Sequence, residues 1–240
     1  INLQAEAEGK TFEDAKEQAH QIWQEYLGRI EVETSKREDK VKFYTGLYHA
    51  LLGRGLANDV NGAYPRNDGS VGQLPMKEGK PQYNVYNTDA AWGAQWNLSQ
   101  LWTLAYPEYM SEYVSSHIQA YKDAGWLADG LANNRYVSGV GTNLLSTIIA
   151  GAYQCGIRDF DTKLAYEACL KNELDGKDRP FGAGKVNTAE FVKYGYVPHQ
   201  DQGEGYHETF MFSASHTLEY SYSAWAVAQW AKSLGDTENY

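Results

Sequence analysis

The sequence predicts an all-α fold of antiparallel helix pairs, layered as an α/α toroid. Two observations predict it. Apolar residues recur at helical spacing in segment after segment, and the segments are joined by long polar connections rich in Gly and Asn. Gathered at one end of the layers, such connections would build the site. No GxGxxG and no GxxxxGK[ST] string occurs, so nucleotide binding has no motif behind it.

The first helix begins at Thr11 as N-cap, with Asp14 in its first turn and Phe12, Ala15, Ala19, Ile22, Trp23, Tyr26 and Leu27 at helical spacing. Gly28 stops it, and "RIEVE" alternates like a short strand. A second helix is expected from about Ser35 to Gly53, where "VKFYTGLYHALL" is apolar on most of its circumference and therefore reads as buried. Residues 56–88, rich in Gly, Asn, Asp and Pro, read as a long ordered loop with room for short strands, because Tyr, Leu and Val are interspersed. Helices follow at about 89–106, 107–124, 142–155, 161–173 and 213–234, with Pro107 at an N1 position. Those near 36–53, 89–106 and 213–234 are apolar on nearly every face and are expected to form the inner, buried layer.

Composition narrows the function. A net charge of −10 argues against nucleic acid or an anionic membrane as partner, since both need concentrated Lys and Arg. No apolar run approaches the roughly 20 residues of a membrane span. The opening "INLQAEAEGKTFEDAK" lacks the basic start and apolar stretch of a signal peptide and begins with Ile, as expected of a processed chain or an excised segment. Cys155 and Cys169 could pair in an oxidising compartment or stay as two buried free thiols. The histidines and cysteines show no zinc spacing. Aromatic residues make up 14% of the chain, which suits either stacking on sugar rings or a dense helical core.

Four stretches carry candidate chemistry. "DAAWGAQWNLSQLW" puts Trp92 and Trp96 on one helix face behind Asp89: a sugar pocket at the helix start, or a cap followed by core tryptophans. "NDVNGAYPRND" offers Asp59, Asn61 and Asp68 as oxygen ligands, but its glycine falls three positions after Asp59, which is not an EF-hand spacing, and turn chemistry is the plainer reading. "HQDQGEGYHE" concentrates His199, Asp201, Glu204, His207 and Glu208, fit for acid–base work, for a cation or simply for a solvated loop. In "SASHTLEYSYSAWAVAQWAKSLG", Glu219 sits on a helix apolar nearly all round, and a carboxylate that cannot escape to solvent clusters with sites.

That last string resembles the S-x-T-L-E-Y-A-Y-D-D-W-A-I-A-Q-x-A-K-x-L-G signature of glycoside hydrolase family 92. "GRIEVE", "KFYTGLYHALL", "NDVNGAYPRND", "AYQCGIRDFD" and "GYVP" match further family motifs in the family's order, so the likeness runs from about Phe12 to Gly235. The resemblance implies a calcium-dependent, inverting exo-α-mannosidase, periplasmic or extracellular, acting on a glycan. It implies that residues 1–34 are a linker helix and short strand, and that 35–240 are the first part of a catalytic α/α toroid completed by other domains of the same enzyme. By the same likeness the catalytic acid and base and the principal calcium contacts lie outside this segment, so no metal site is expected within it. Substrate-binding candidates are Asp89, Trp92, Trp96, Glu219, Asp59 and Asp68. Asp89, Trp92 and Glu219 are expected at one cavity, Glu219 as an orienting residue and not the acid.

Departures from the pattern bear on substrate. Gly93 and Trp96 stand where the family's W-D-T-F-R motif has Asp and Arg, and Ser223 and Ala224 replace the D-D pair. Leu144 stands for a His and Gly151 for an Asp. Each unreplaced sugar contact costs about 1 kcal/mol or more. The alternatives are therefore a divergent α-glycosidase of other specificity, or a carbohydrate-binding toroid without catalysis. A polysaccharide lyase is disfavoured by the net negative charge.

Overall fold

The computed structural model describes residues 2–53, 55–137, 142–199 and 212–240. A short α1 (Asn2–Ala7) precedes α2 (Phe12–Leu27) and α3 (Arg37–Leu51). Two small antiparallel hairpins follow, β1 (Ala63–Pro65) with β2 (Val71–Gln73), and β3 (Met76–Lys77) with β4 (Lys80–Pro81). Next come α4 (Ala91–Ala94), α5 (Leu98–Ala105), α6 (Pro107–Ala124) and a third hairpin of β5 (Gly130–Ala132) and β6 (Arg135–Val137). The chain ends with α7 (Leu145–Gln154), α8 (Thr162–Leu174), α9 (Thr188–Tyr194) and α10 (Ser213–Leu234). The molecule is thus mostly helical.

Local chemistry sets the helix ends. Thr11 caps α2 through a reciprocal pair: its hydroxyl accepts from the Asp14 N–H, and the Asp14 carboxylate accepts from the Thr11 N–H at 2.8 Å. The Thr11 hydroxyl also donates to the Asp14 carboxylate at 2.7 Å, and that bond, with the one from the Thr11 N–H, holds the Asp14 carboxyl below its usual range. Thr11→Ala should cost about 1 kcal/mol of helix stability. It should appear as roughly fivefold faster amide exchange in the first turn of α2, and unchanged exchange there would contradict the cap. Pro107 starts α6, and Gly125 and Gly235 end α6 and α10 in the left-handed region at φ 79° and 74°.

The main core joins α6, α7, α8 and α10. Val114, Ile118, Ile148, Ile149, Ala165, Ala168, Cys169, Val227 and Trp230 are buried there, with Trp230 stacked on Tyr153 at 4.7 Å. α10 packs on α7 and α8, α5 on α6, and α6 on α8.

Several expectations need correction. "RIEVE" forms no strand: Arg29 instead reaches the Ala105 carbonyl and the Glu108 carboxylate, and the Tyr44 hydroxyl donates to the Ile30 carbonyl. The helix expected over 89–106 is broken. Asn97 leaves helical geometry at φ −153°, and the Gln95 carbonyl takes the Gln100 side-chain amide at 2.9 Å. α1 and α9 were not anticipated. The three helical stretches expected to be buried all round are not. α3 buries only Leu47, α5 exposes Leu104, and α10 exposes Leu218, Tyr222 and Trp225. Apolar periodicity reports which faces avoid water, not what covers them in this chain. Both cysteines are free, Cys169 buried but Cys155 exposed. Asp201, Glu204, His207 and Glu208 lie outside the described residues, and His199 is exposed.

Candidate functional site

Residues 127–131 organise the polar centre. On one side the Ala91 N–H donates to the Asp129 carbonyl at 2.8 Å, and the Thr88 N–H to the Leu131 carbonyl at 2.8 Å. Gly130 lies so close to Asp89 and Ala90 that an added Cβ would stand 3.4 Å from the Ala90 nitrogen. On the other side Ala128 bridges Ala183, and the Gly184 N–H donates to the Leu127 carbonyl at 2.9 Å. Asp89 and the start of α4 are thereby held on one edge of this segment, and the loop leading to Lys185 on the other.

Lys185 carries that loop into the helical core. Its ammonium is 1% exposed, bonds the carboxylate of Glu173 on α8 and the hydroxyl of Ser223 on α10, and lies 5.0 Å from the Tyr220 ring centre. Ser223 closes the triangle by donating to Glu173 at 2.9 Å. Burial lowers the Lys185 pKa, and the Glu173 carboxylate opposes that shift. The Tyr220 hydroxyl donates to the Val186 carbonyl at 2.7 Å. Glu219, one residue before Tyr220, is half-buried, and its Oε2 is buried without a hydrogen-bond partner among the described residues. Its charge acts on Lys185 and Tyr220.

Asp89 is exposed and just precedes α4. Trp92 is half-buried and meets Trp96 edge to face at 5.5 Å, while Trp96 is 65% exposed. Asp129, 2% exposed, acts electrostatically on Tyr113 beside Asp89 and on Tyr220 beside Glu219. A cavity of about 460 Å³ opens against α2, α3, α5 and α6, and of Asp89, Trp92 and Glu219 only Asp89 lines it. Glu173, Lys185, Asp129 and Tyr113 were missed by sequence reasoning. "FGAGKVN" reads as a loop, and nothing in it signals a buried lysine.

The loop carboxylates do other work. Asp59 accepts from the Asn2 side chain at 2.7 Å, Asn61 from the Ala63 N–H at 3.0 Å and Asp68 from the Ser70 N–H at 2.8 Å. Hydrogen bonds from Ser70 hold the Asp68 carboxyl below its usual range. Neither Asp59 nor Asp68 lines the cavity. Among the described residues no three of His, Cys, Asp and Glu come together to hold a metal ion. Among them, too, no helix is long and apolar enough to cross a membrane.

The glycosyl hydrolase family 92 catalytic domain matches the chain over residues 1–240. An uncharacterised secreted glycosidase of Arthroderma benhamiae is 26% identical over 231 residues, covering 93% of this chain and 24% of that protein. A family 92 alpha-mannosidase of Bacteroides thetaiotaomicron superposes over 100% of this chain and 30% of its own length, with 24% identity and a TM-score of 0.83. A family 92 inverting mannosidase of the same species does so at 25% identity, over 31% of its length, with a TM-score of 0.80. The chain thus spans about a quarter to a third of the length of these relatives.

Proposed function

The chain belongs to glycosyl hydrolase family 92, and on that premise we propose that it is part of a glycoside hydrolase removing terminal α-linked sugars by inversion, in the manner of an α-mannosidase. Residues 35–240 would be the first part of its α/α toroid and 1–34 the linker to a preceding domain. The observation that carries this reading is the family 92 catalytic-domain match over residues 1–240. The sugar would contact Asp89, Trp92 and Glu219, with Glu219, whose Oε2 has no hydrogen-bond partner among the described residues, orienting a hydroxyl. Trp96, Asp59 and Asp68 would be contacts to the rest of a glycan. The exposed apolar faces of α5 and α10 would pack against other parts of the same protein. Inversion needs an acid and a base roughly 6.5–9.5 Å apart on opposite faces of the glycosidic bond. We assign both, and the calcium donors, to the remainder of the full-length protein, which we place outside the cytoplasm.

One observation favours a second reading, a carbohydrate-binding toroid without catalysis. Ser223, at a signature position of α10, is fully buried in the Lys185–Glu173 network and offers a sugar nothing.

Turnover of aryl α-mannosides and other aryl α-glycosides, with and without calcium, separates the two. The full-length protein is expected to turn over and to release the β-anomer first by proton NMR, while residues 1–240 alone stay inactive. In the full-length protein Glu219→Gln is expected to lower kcat/KM at least about tenfold, equivalent to roughly 1.4 kcal/mol. Robust turnover by the segment alone would mean that the acid lies within it. Saturable sugar binding without turnover by the full-length protein would favour the second reading.

A further inference from the structure

Lys185 and Val186 grip α10 at two neighbouring points. The Lys185 ammonium bonds the Ser223 hydroxyl and lies 5.0 Å from the Tyr220 ring centre, and the Tyr220 hydroxyl donates to the Val186 carbonyl at 2.7 Å. Glu219 precedes Tyr220 by one residue and Ser223 by four. Glu219 and Ser223 therefore share one face of α10, with Cβ atoms about 5–6 Å apart. The grip closes on the turn of the helix that carries Glu219.

Charge on that turn is unevenly matched. Glu219 is half-buried and turns Oε2 inward, with no hydrogen-bond partner among the described residues. An inward carboxylate oxygen without a bond is tolerated where an opposite charge offsets its lost hydration. A lysine ammonium carries three N–H donors, and among the described residues Lys185 commits two of them, to Glu173 and Ser223. Its buried charge attracts Glu219 as well as Glu173. The triangle of Lys185, Glu173 and Ser223 could join α8 to α10 without any part for Glu219. The attraction to Glu219 and the hold on Tyr220 extend it to the turn that carries the candidate sugar contact.

We propose that Lys185 is a positioning residue for the sugar site. Its ammonium fixes the inward oxygen of Glu219 by charge and the surrounding turn through Ser223 and Tyr220, which leaves the second carboxylate oxygen for a sugar hydroxyl. The inference rests on the sugar-binding role proposed above for Glu219. Lys185 is 1% exposed and touches no sugar; it acts only through Glu219. A hydroxyl is a directional donor, so a carboxylate free to turn loses the orientation that its contact needs.

The test is a mutant cycle on the full-length protein. It is read as kcat/KM for an aryl α-mannoside and as calorimetric affinity for methyl α-mannoside, with a urea midpoint for every variant. Lys185→Met combined with Glu173→Leu removes the ammonium together with its buried partner, and so spares the fold where Lys185→Met alone does not. This pair is expected to stay near the wild-type midpoint yet lose about tenfold in kcat/KM, the loss expected of Glu219→Gln. Adding Glu219→Gln to the pair should then cost less than about twofold, because the contact is already lost. Ser223→Ala, a smaller change, should lose about threefold, and that loss should vanish in the Glu219→Gln background. The cycle therefore stands even if the pair fails to fold. Where sugar binds without turnover, the same factors are expected in affinity. Turnover that recovers along with stability, or losses that multiply with that of Glu219→Gln, overturn the inference and leave the sugar reading intact. A wild-type protein that neither binds nor turns over sugar, or a Glu219→Gln variant unchanged in both, removes the sugar reading and this inference with it.

Discussion

Lys185→Met is expected to destabilise the fold by about 3–5 kcal/mol, because it strands a buried carboxylate. Lys185, from the loop before α9, and Glu173 on α8 are both buried and bonded to each other, with Ser223 of α10 closing the triangle. Methionine keeps much of the lysine stem's volume, so the loss is electrostatic. Among the described residues Glu173 Oε2 would keep only Ser223, and its Oε1 is already buried without a partner. Removing both charges together, Lys185→Met with Glu173→Leu, should recover most of the stability. The desolvation cost of a buried pair is comparable to its attraction, and apolar replacements of similar size are often neutral. The Arg29–Glu108 pair, with both side chains partly in solvent, is the contrast: Arg29→Met should cost no more than about 1 kcal/mol. Urea midpoints at neutral pH compare the four proteins. A Lys185→Met variant within 1 kcal/mol of wild type, or a double variant weaker than the single, would dismiss the network as a stability element.

That network also marks where sequence reading stops. The ends of α2, α6 and α10 were legible, because Thr11, Pro107 and the terminal glycines act on backbone within a turn of themselves. The break at Asn97 was not, since the pattern around Trp92 and Trp96 is helical and only the competing Gln100 amide reveals the interruption. The burial of α3 and α10 was over-read: their apolar residues are real, but a period says nothing of what lies opposite. Asp89, Trp92 and Glu219 were singled out from local chemistry and from family resemblance, and of the three only Asp89 lines the cavity. Lys185 could not be found that way. Its partners lie 12 and 38 residues along the chain, a separation no periodicity encodes.

His117 should make the protein unusually sensitive to mild acid. It lies on α6 with no exposure, packed 4.8 Å from the Tyr113 ring, and neither ring nitrogen has a hydrogen-bond partner among the described residues. Burial lowers its pKa from 6.5 to about 3, because the interior penalises the charged imidazolium. The folded state therefore binds this proton less well than the unfolded chain. Above pH 6.5 both states are neutral here and the stability is intact. As pH falls from 6.5 towards 3 the unfolded chain is protonated first, and stability drops by about 1.4 kcal/mol per unit. Between pH 7.5 and 4.5 the loss from this one residue comes to about 2–3 kcal/mol. Asp14, Asp68 and Asp236 also have lowered pKa values, but a carboxylate held below the ordinary 3.8 gives up its stabilisation only as pH falls below that value. His117→Leu removes the titration together with two unpaired polar atoms and nearly conserves volume, so it should equal or exceed wild type in stability at pH 7.5. Urea denaturation of both proteins at pH 7.5 and 4.5 gives the comparison. The variant should lose about 2–3 kcal/mol less on acidification, and an identical loss in the two would mean that His117 is solvated or partnered in solution and carries no acid sensitivity.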